Sequence, residues 1–411
     1  MKKGLFYILP AVFLMTLWTQ YHQLDLTDLM DTIREEGLMD FSEQVSVNVL
    51  PEPSYRKVIE DFYRDNRNPQ LAGKEQILLE WLGYAGKEFD WVGARRDVYE
   101  HQLKSFYHSD NKEVLVPEGQ MEGNLFNRMY LAHALREAIW DQKTRIFQNP
   151  HFQLSDLDDR KLALVAAYQG DCTYLMLKIA DFSPEMMRHS DDSDTLLSYL
   201  PRSGLATMRR FPDAVQSLFL MPYFQGVDFI NHLFDGVKRK NKKIKRMEFL
   251  FSQPPVCTSH ILHPEKYLEG WMPESVDIHY LPAEAEVFHS GTIGEFSWGL
   301  MIDGRDTKGE YLEQWKGDQF TIYRCRPQGL FFFSKSSWMS GEGCREITRG
   351  LRRYLTRRFG VEFRKGDGGR FIAGRGGDRY WFLASRDRRL VFVCTDRRDL
   401  INTFINGGKY D

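Results

Sequence analysis

The ten residues HALREAIWDQ, His133 to Gln142, decide how this chain is read. They sit in a longer helical pattern: Asn124 is placed to cap the first turn, and the pattern runs to about Phe147. Within it Phe126, Met129, Tyr130 and Trp140 recur with His133 and Glu137 at i, i+3, i+4 and i+7, so two polar side chains interrupt a stripe expected to face inward. The next helical stretch, KLALVAAYQGDCTYLMLKI, repeats the anomaly. There Leu162, Val165, Ala166, Cys172, Thr173 and Met176 share one face with Gln169 at its centre. A buried polar group without a partner costs on the order of 1–3 kcal/mol. His133, Glu137 and Gln169 are therefore expected to partner one another.

At 411 residues and 42% apolar, the chain can bury one large core or two ordinary ones, and neither its composition nor its net charge points to disorder. The net charge is only −2, yet residues 1–200 carry 21 Lys and Arg against 32 Asp and Glu, while residues 201–411 carry 34 against 25. Over residues 1–24, Lys2 and Lys3 precede an uncharged, mostly apolar run, the pattern of a signal peptide or an N-terminal membrane anchor. Gly4 to Trp18 is short for a span of about 20 residues and no clear small-x-small cleavage site follows, so both readings stand. Either one exports the rest of the chain, anchored in an inner membrane and facing the periplasm, or secreted. The five cysteines, Cys172, Cys257, Cys325, Cys344 and Cys394, have neither C-x-x-C pairs nor zinc-like spacing. One or two disulfides are open to them in an oxidising compartment, and the odd count leaves at least one buried thiol.

Residues 25–54 are acidic and loosely helical, a stalk or first helix ending at Pro51 and Pro53. From Tyr55 to about 280 the pattern is mainly helical, with EVLVPEG as one short strand. Asp213–Leu220 and Tyr223–Gly236 are expected as two helices, kinked or broken apart at Pro222. The run VKRKNKKIKRM places seven basic residues between Lys238 and Arg246; with no aromatic residues interleaved to stack bases, it reads as a solvated loop and not as a nucleic-acid site. Over 281–411, the β-rich runs TIYRC, GLFFFS, YWFLAS and LVFVCT surround a helix at Glu342–Arg358, and a last helix lies near Arg397–Ile405. The glycine-dense GDGGRFIAGRGGDRY lacks the following helix of a phosphate-cradling loop and reads as turns. Ser290 beside His289 lacks the strand–elbow–helix setting of a serine nucleophile. The expected fold class is α+β, a helical core over 55–280 and a smaller α+β part over 281–411.

HALREAIWDQ also keeps the frame of a zinc-peptidase helix. Such a helix reads H-E-x-x-H: two imidazoles one turn apart hold the metal, and the glutamate between them takes a proton from water. Other segments follow in order: QGDCT at Gln169–Thr173, PYFQG at Pro222–Gly226, Pro254-Pro255 and then HILHPEKY at His260–Tyr267, and GRGGDRY at Gly374–Tyr380. In these motifs and their order the chain resembles exported bacterial zinc metallopeptidases of the H-E-x-x-H, gluzincin-like type, from about Tyr55 to its end. The motif helix matches at His133, Leu135, Ala138, Asp141 and Gln142. The resemblance implies a helical metallopeptidase-like core, metal ligands at 133, 137 and 169, a general base at 134, and a transition-state hydrogen-bond donor at His263.

Three of the four chemical positions depart from it: the base is Ala134, the second imidazole is Glu137 and the third ligand is Gln169. Alanine takes no proton, and general acid–base assistance is worth about 10²–10⁴ in rate. A glutamine carbonyl is a poor zinc ligand. The expectation is a pseudo-peptidase with no catalytic residues and no metal or other cofactor. It would act by binding or scaffolding a protein or peptide partner, with membrane contact through its N-terminal segment. A first alternative is a hydrolase with a rebuilt zinc site, in which His133 and Glu137 form an N,O pair joined by Asp171, His260 or His263. Asp171 lies about 200° round a helix from Gln169, which suits it better to orienting a neighbour. A second alternative is a membrane-anchored binding protein working through the basic loop 238–246 or the cationic helix around Arg352–Arg358.

Overall fold

A computed structural model describes residues 24–407 apart from 66–68, 103, 182–206, 281, 283, 303–310, 327–328 and 367–370. The N-terminal signal or anchor run, residues 1–23, lies outside them. Among the described residues no helix is long and apolar enough to cross a membrane.

The chain begins with α1 (Leu26–Gly37), whose first turn is capped by Asp25 Oδ1 accepting from Thr27 N (2.9 Å) and Asp28 N (3.2 Å). Leu29 and Ile33 are fully buried, so this segment is no stalk: it lays an apolar edge on the core. One strand, three helices and two strands follow: β1 (Ser46–Leu50), α2 (Glu52–Asp65), α3 (Pro69–Leu82), α4 (Trp91–Gln102), β2 (Phe106–His108) and β3 (Glu113–Pro117). The strands form a small sheet of order β1-β3-β2, with β1 parallel and β2 antiparallel to β3. EVLVPEG thus supplies the central strand, and β1 is a strand the helical reading of 25–54 missed.

The helical centre follows as α5 (Leu125–Thr144), α6 (Asp159–Ile179), α7 (Asp213–Phe234), α8 (Lys240–Ser252), α9 (Thr258–Leu262) and α10 (Pro264–Leu268). Asn124 caps α5 by accepting from Asn127 N at 3.0 Å. Two expectations are corrected here. The helix α7 runs unbroken through Pro222, although proline gives no N–H to the Leu218 carbonyl, because it lies packed along α6. The basic run 238–246 is not a loop from end to end: from Lys240 it forms the first turns of α8, anchored by the buried Met247, Leu250 and Phe251 beyond it.

The C-terminal part comprises β4 (Ala285–Gly291), α11 (Gly294–Met301), β5 (Trp315–Cys325), β6 (Leu330–Trp338), α12 (Gly341–Phe359), β7 (Glu362–Lys365), β8 (Phe371–Gly376), β9 (Arg379–Arg386), β10 (Arg389–Thr395) and α13 (Arg398–Asn406). Its seven strands form one antiparallel sheet of order β4-β5-β6-β10-β9-β8-β7. The glycine-dense stretch is corrected from turns to the β8–β9 hairpin, with Gly377 at φ 60° in its turn. Alternate side chains go to opposite faces: Phe332, Trp381, Leu383, Leu390 and Phe392 join one apolar cluster, Phe331, Phe333, Phe382, Val391 and Val393 the other. Helix α12 covers the first face with Ile347, Leu351 and Leu355, and α13 covers the second with Ile401 and Phe404. Burial on both faces is why these strands read as unbroken apolar runs.

The fold is therefore α+β, a helical core with a C-terminal sheet part. The first cluster also takes in Leu78, Leu79, Trp81 and Leu82 of α3, so packing continues from the helices into the sheet. All five cysteines are buried and free.

Candidate functional site

Helix α5 is enclosed on nearly every side. Leu131, Ala132, Ala134, Leu135, Ala138, Ile139 and Trp140 all have no exposed surface. An all-round apolar helix has no single inward stripe, and the stripe expected from Phe126 to Trp140 is corrected accordingly: Phe126 is 50% exposed, and Tyr130, His133 and Glu137 form the half-buried side. In the middle of α6 the half-buried positions are Val165 and Gln169, between buried neighbours.

These two open faces meet. Gln169 Nε2 donates to Glu137 Oε1 at 2.9 Å, and His133 Nδ1 stands 3.8 Å from the same oxygen. The His133 side chain is 20% exposed and that of Glu137 14%. Desolvation lowers the His133 imidazole to about 4, with the Gln169 amide opposing the shift. Desolvation also lifts the Glu137 carboxyl to about 7, against the stabilising effect of Gln169, the Tyr168 hydroxyl and the Tyr107 backbone N–H on its ionised form. At neutral pH the pair is a neutral imidazole beside a half-protonated acid, not an ion pair.

The cluster also holds unused hydrogen-bonding capacity. Thr173 Oγ1, one helical turn beyond Gln169 on α6, is buried without a hydrogen bond, as is the hydroxyl of Tyr55, which feels the Glu137 charge. Tyr55, Tyr107 and Tyr168 were not candidates from sequence. Tyr168 adjoins Gln169 and Thr173 closes QGDCT, so those two carried a signal; Tyr55 and Tyr107 come from α2 and β2 and carried none.

The other candidates have different partners. Asp171 Oδ2 accepts from Arg136 Nε (2.6 Å) and Trp140 Nε1 (2.7 Å), tying α6 to α5 away from the cluster. The Arg136 and Asp171 side chains are only 1% and 4% exposed. His260 Nε2 lies 2.7 Å from the Trp271 carbonyl, and His263 Nε2 lies 2.6 Å from Glu295 Oε1.

In this arrangement the Gln169 N–H₂ points at the Glu137 carboxyl, whose burial favours the protonated form, so the three groups stand as hydrogen-bonding neighbours and not as a preset zinc ligand set. Among the described residues no group of three His, Cys, Asp or Glu side chains stands ready to hold a metal. Ala134 is fully buried.

No protein-family model, curated protein or solved structure matches the chain.

Proposed function

We propose that this chain is an exported, non-hydrolytic relative of H-E-x-x-H zinc metallopeptidases, a pseudo-peptidase that binds a protein or peptide partner at the His133–Glu137–Gln169 cluster. The observation that supports the binding role is unused hydrogen-bonding capacity beside the cluster: Tyr55 Oη, which feels the Glu137 charge, and Thr173 Oγ1, one helical turn from Gln169, are buried without a partner. A cluster kept only to satisfy its own polar groups would leave none, since each costs about 1–3 kcal/mol. Two hydroxyls beside an acid suit an amide-bearing ligand. Without a base at 134, a bound peptide meets no group that activates water. Export rests on Lys2, Lys3 and the apolar run behind them.

The test is metal analysis of the full chain purified without chelators, followed by a general peptidase assay on it and on Ala134→Glu/Glu137→His/Gln169→Glu. The native chain should hold no stoichiometric zinc and cleave nothing, and the triple variant should take up zinc. Stoichiometric zinc with turnover in the native chain overturns the reading.

One observation favours a second working surface. Lys238, Arg239, Lys240, Lys242, Lys243 and Lys245 make no ion pair among the described residues, and they gather at the N-terminal end of α8, where the helix dipole is itself positive. Contact with an anionic membrane would relieve this repulsion. Binding of the full chain to vesicles containing phosphatidylglycerol should then exceed binding to phosphatidylcholine vesicles and fade with salt.

A further inference from the structure

Helix α12 covers the sheet with one side and leaves the other to solvent, and the two sides differ sharply in composition. Its apolar anchors Ile347, Leu351 and Leu355 are fully buried, and none of the exposed large apolar side chains among the described residues lies within Gly341–Phe359. The outer side carries six exposed arginines, Arg345, Arg349, Arg352, Arg353, Arg357 and Arg358, against two acids on the whole helix, Glu342 and Glu346.

The spacing sets these cations in two rows. Arg345, Arg349 and Arg352 follow at i, i+4 and i+7, and Arg349, Arg353 and Arg357 at i, i+4 and i+8. From Arg345 to Arg357 they run about 18 Å along the axis. Glu346 pairs with Arg349, whereas Arg345 and Arg352 enter no ion pair among the described residues. Like charges at these spacings repel, so burial of the inner side holds the helix together against its outer one. An anionic partner would relieve that repulsion.

The face discriminates among such partners. Single-stranded nucleic acid needs aromatic side chains on which bases stack, but Tyr354 donates its hydroxyl to the Leu82 carbonyl (2.8 Å) and Phe359 packs on Trp381 at 4.6 Å between ring centres. A helix that enters a major groove stands clear of its own fold, and α12 lies on β6, β9 and β10. A helix that settles into a lipid surface has apolar side chains to bury there, and this face has none. An acidic helix presents carboxylates at the same i, i+3 and i+4 repeat, about 5–6 Å apart, and guanidinium pairs with carboxylate through two parallel bonds. We infer that the outer face of α12 docks an acidic helix of a partner protein, whose carboxylates fall along the arginine rows. The face shares no residue with the His133 cluster or the run 238–246, so it stands or falls separately from both readings given above.

Fluorescence anisotropy on the full chain tests it, with two labelled alanine–glutamate peptides of one composition as probes. One has glutamates at i, i+4, i+7 and i+11; its isomer has them spread round the helix. The aligned peptide should bind about tenfold or more tightly than the isomer, and its affinity should fall as salt rises. Arg345→Gln/Arg349→Gln/Arg352→Gln should weaken binding about tenfold or more, and Arg352→Glu alone should weaken it too. Arg56→Gln, at an exposed arginine of α2, should change nothing. Equal binding of the two peptides, or native binding by the triple variant, overturns the inference. So does tighter binding of duplex DNA or of phosphatidylglycerol vesicles through the same three arginines, since the face would then be one for phosphate.

Discussion

Gly170 of α6 and Gly226 of α7 stand backbone against backbone, and a Cβ on either would drive into the other helix. A Cβ on Gly226 would also collide with the Ala166 carbonyl oxygen. This pair sets the distance between the helix that carries Gln169 and the one broken, on paper, by Pro222. It is the physical meaning of the glycines in QGDCT and PYFQG.

Gly226→Ala should therefore cost about 1–3 kcal/mol or more through overpacking, even though alanine is the better helix former. Denaturant unfolding measures the loss. A stability equal to or above that of the native chain would show that the two helices are not in this contact.

Glu137 predicts a pH dependence. Its carboxyl ionises at about 7 in the folded chain and near 4.5 when exposed. Because the folded state holds the proton more tightly, the group costs nothing below about pH 4.5, the cost grows from 4.5 to 7, and it is constant above. Glu137→Gln should match the native chain at pH 4 and exceed it by about 2–3 kcal/mol at pH 8. A difference that does not change with pH would refute the buried acid.

The His133 ring should remain neutral down to about pH 4. An imidazole titration followed by NMR reads this directly. A midpoint near 6.5 would place the ring in solvent, outside the cluster.

Asp171→Ala should be severe, about 3–5 kcal/mol, because it strands the Arg136 guanidinium in the core. Arg136→Met together with Asp171→Leu should recover most of that loss, since the pair is replaced by apolar volume. Equal losses in the single and the double variant would mean that the ion pair is not what destabilises the single one.

Arg379, in the GGDRY segment, bonds the Glu80 carboxylate, and its guanidinium lies 5.2 Å from the Trp81 ring centre. It pins β9 to α3. Arg379→Ala should speed backbone amide exchange at the end of α3 and in β9, with a stability loss of about 1–3 kcal/mol. Unchanged protection there would remove Arg379 from this role.

Local rules carried much of the fold. The Asn124 cap, the limits of α12 and the runs of β5, β6, β9 and β10 followed from capping chemistry and apolar content, because those signals lie within a few residues of the element they define. Ser46–Leu50 failed to register because a half-exposed edge strand such as SVNVL is recognised by its partner, β3, some 67 residues away. The turns of α8 were hidden by charge: periodicity has nothing to count in a run of lysines, and the apolar anchors come after it. For the candidate site, spacing marked His133, Glu137 and Gln169 as polar residues in apolar stripes and as partners of one another, but it put them on inward faces, and the tyrosines around them belong to distant segments.

The five sealed thiols bear on how the protein tolerates its surroundings. Burial pushes every one of them up in pKa, Cys344 to about 12 and Cys172 and Cys394 well beyond the usual range. With almost no thiolate to react, oxidants and disulfide exchange find nothing to attack while the chain stays folded. The same architecture can persist in a reducing cell interior and in an oxidising exterior, and its maturation calls for no disulfide-forming helper.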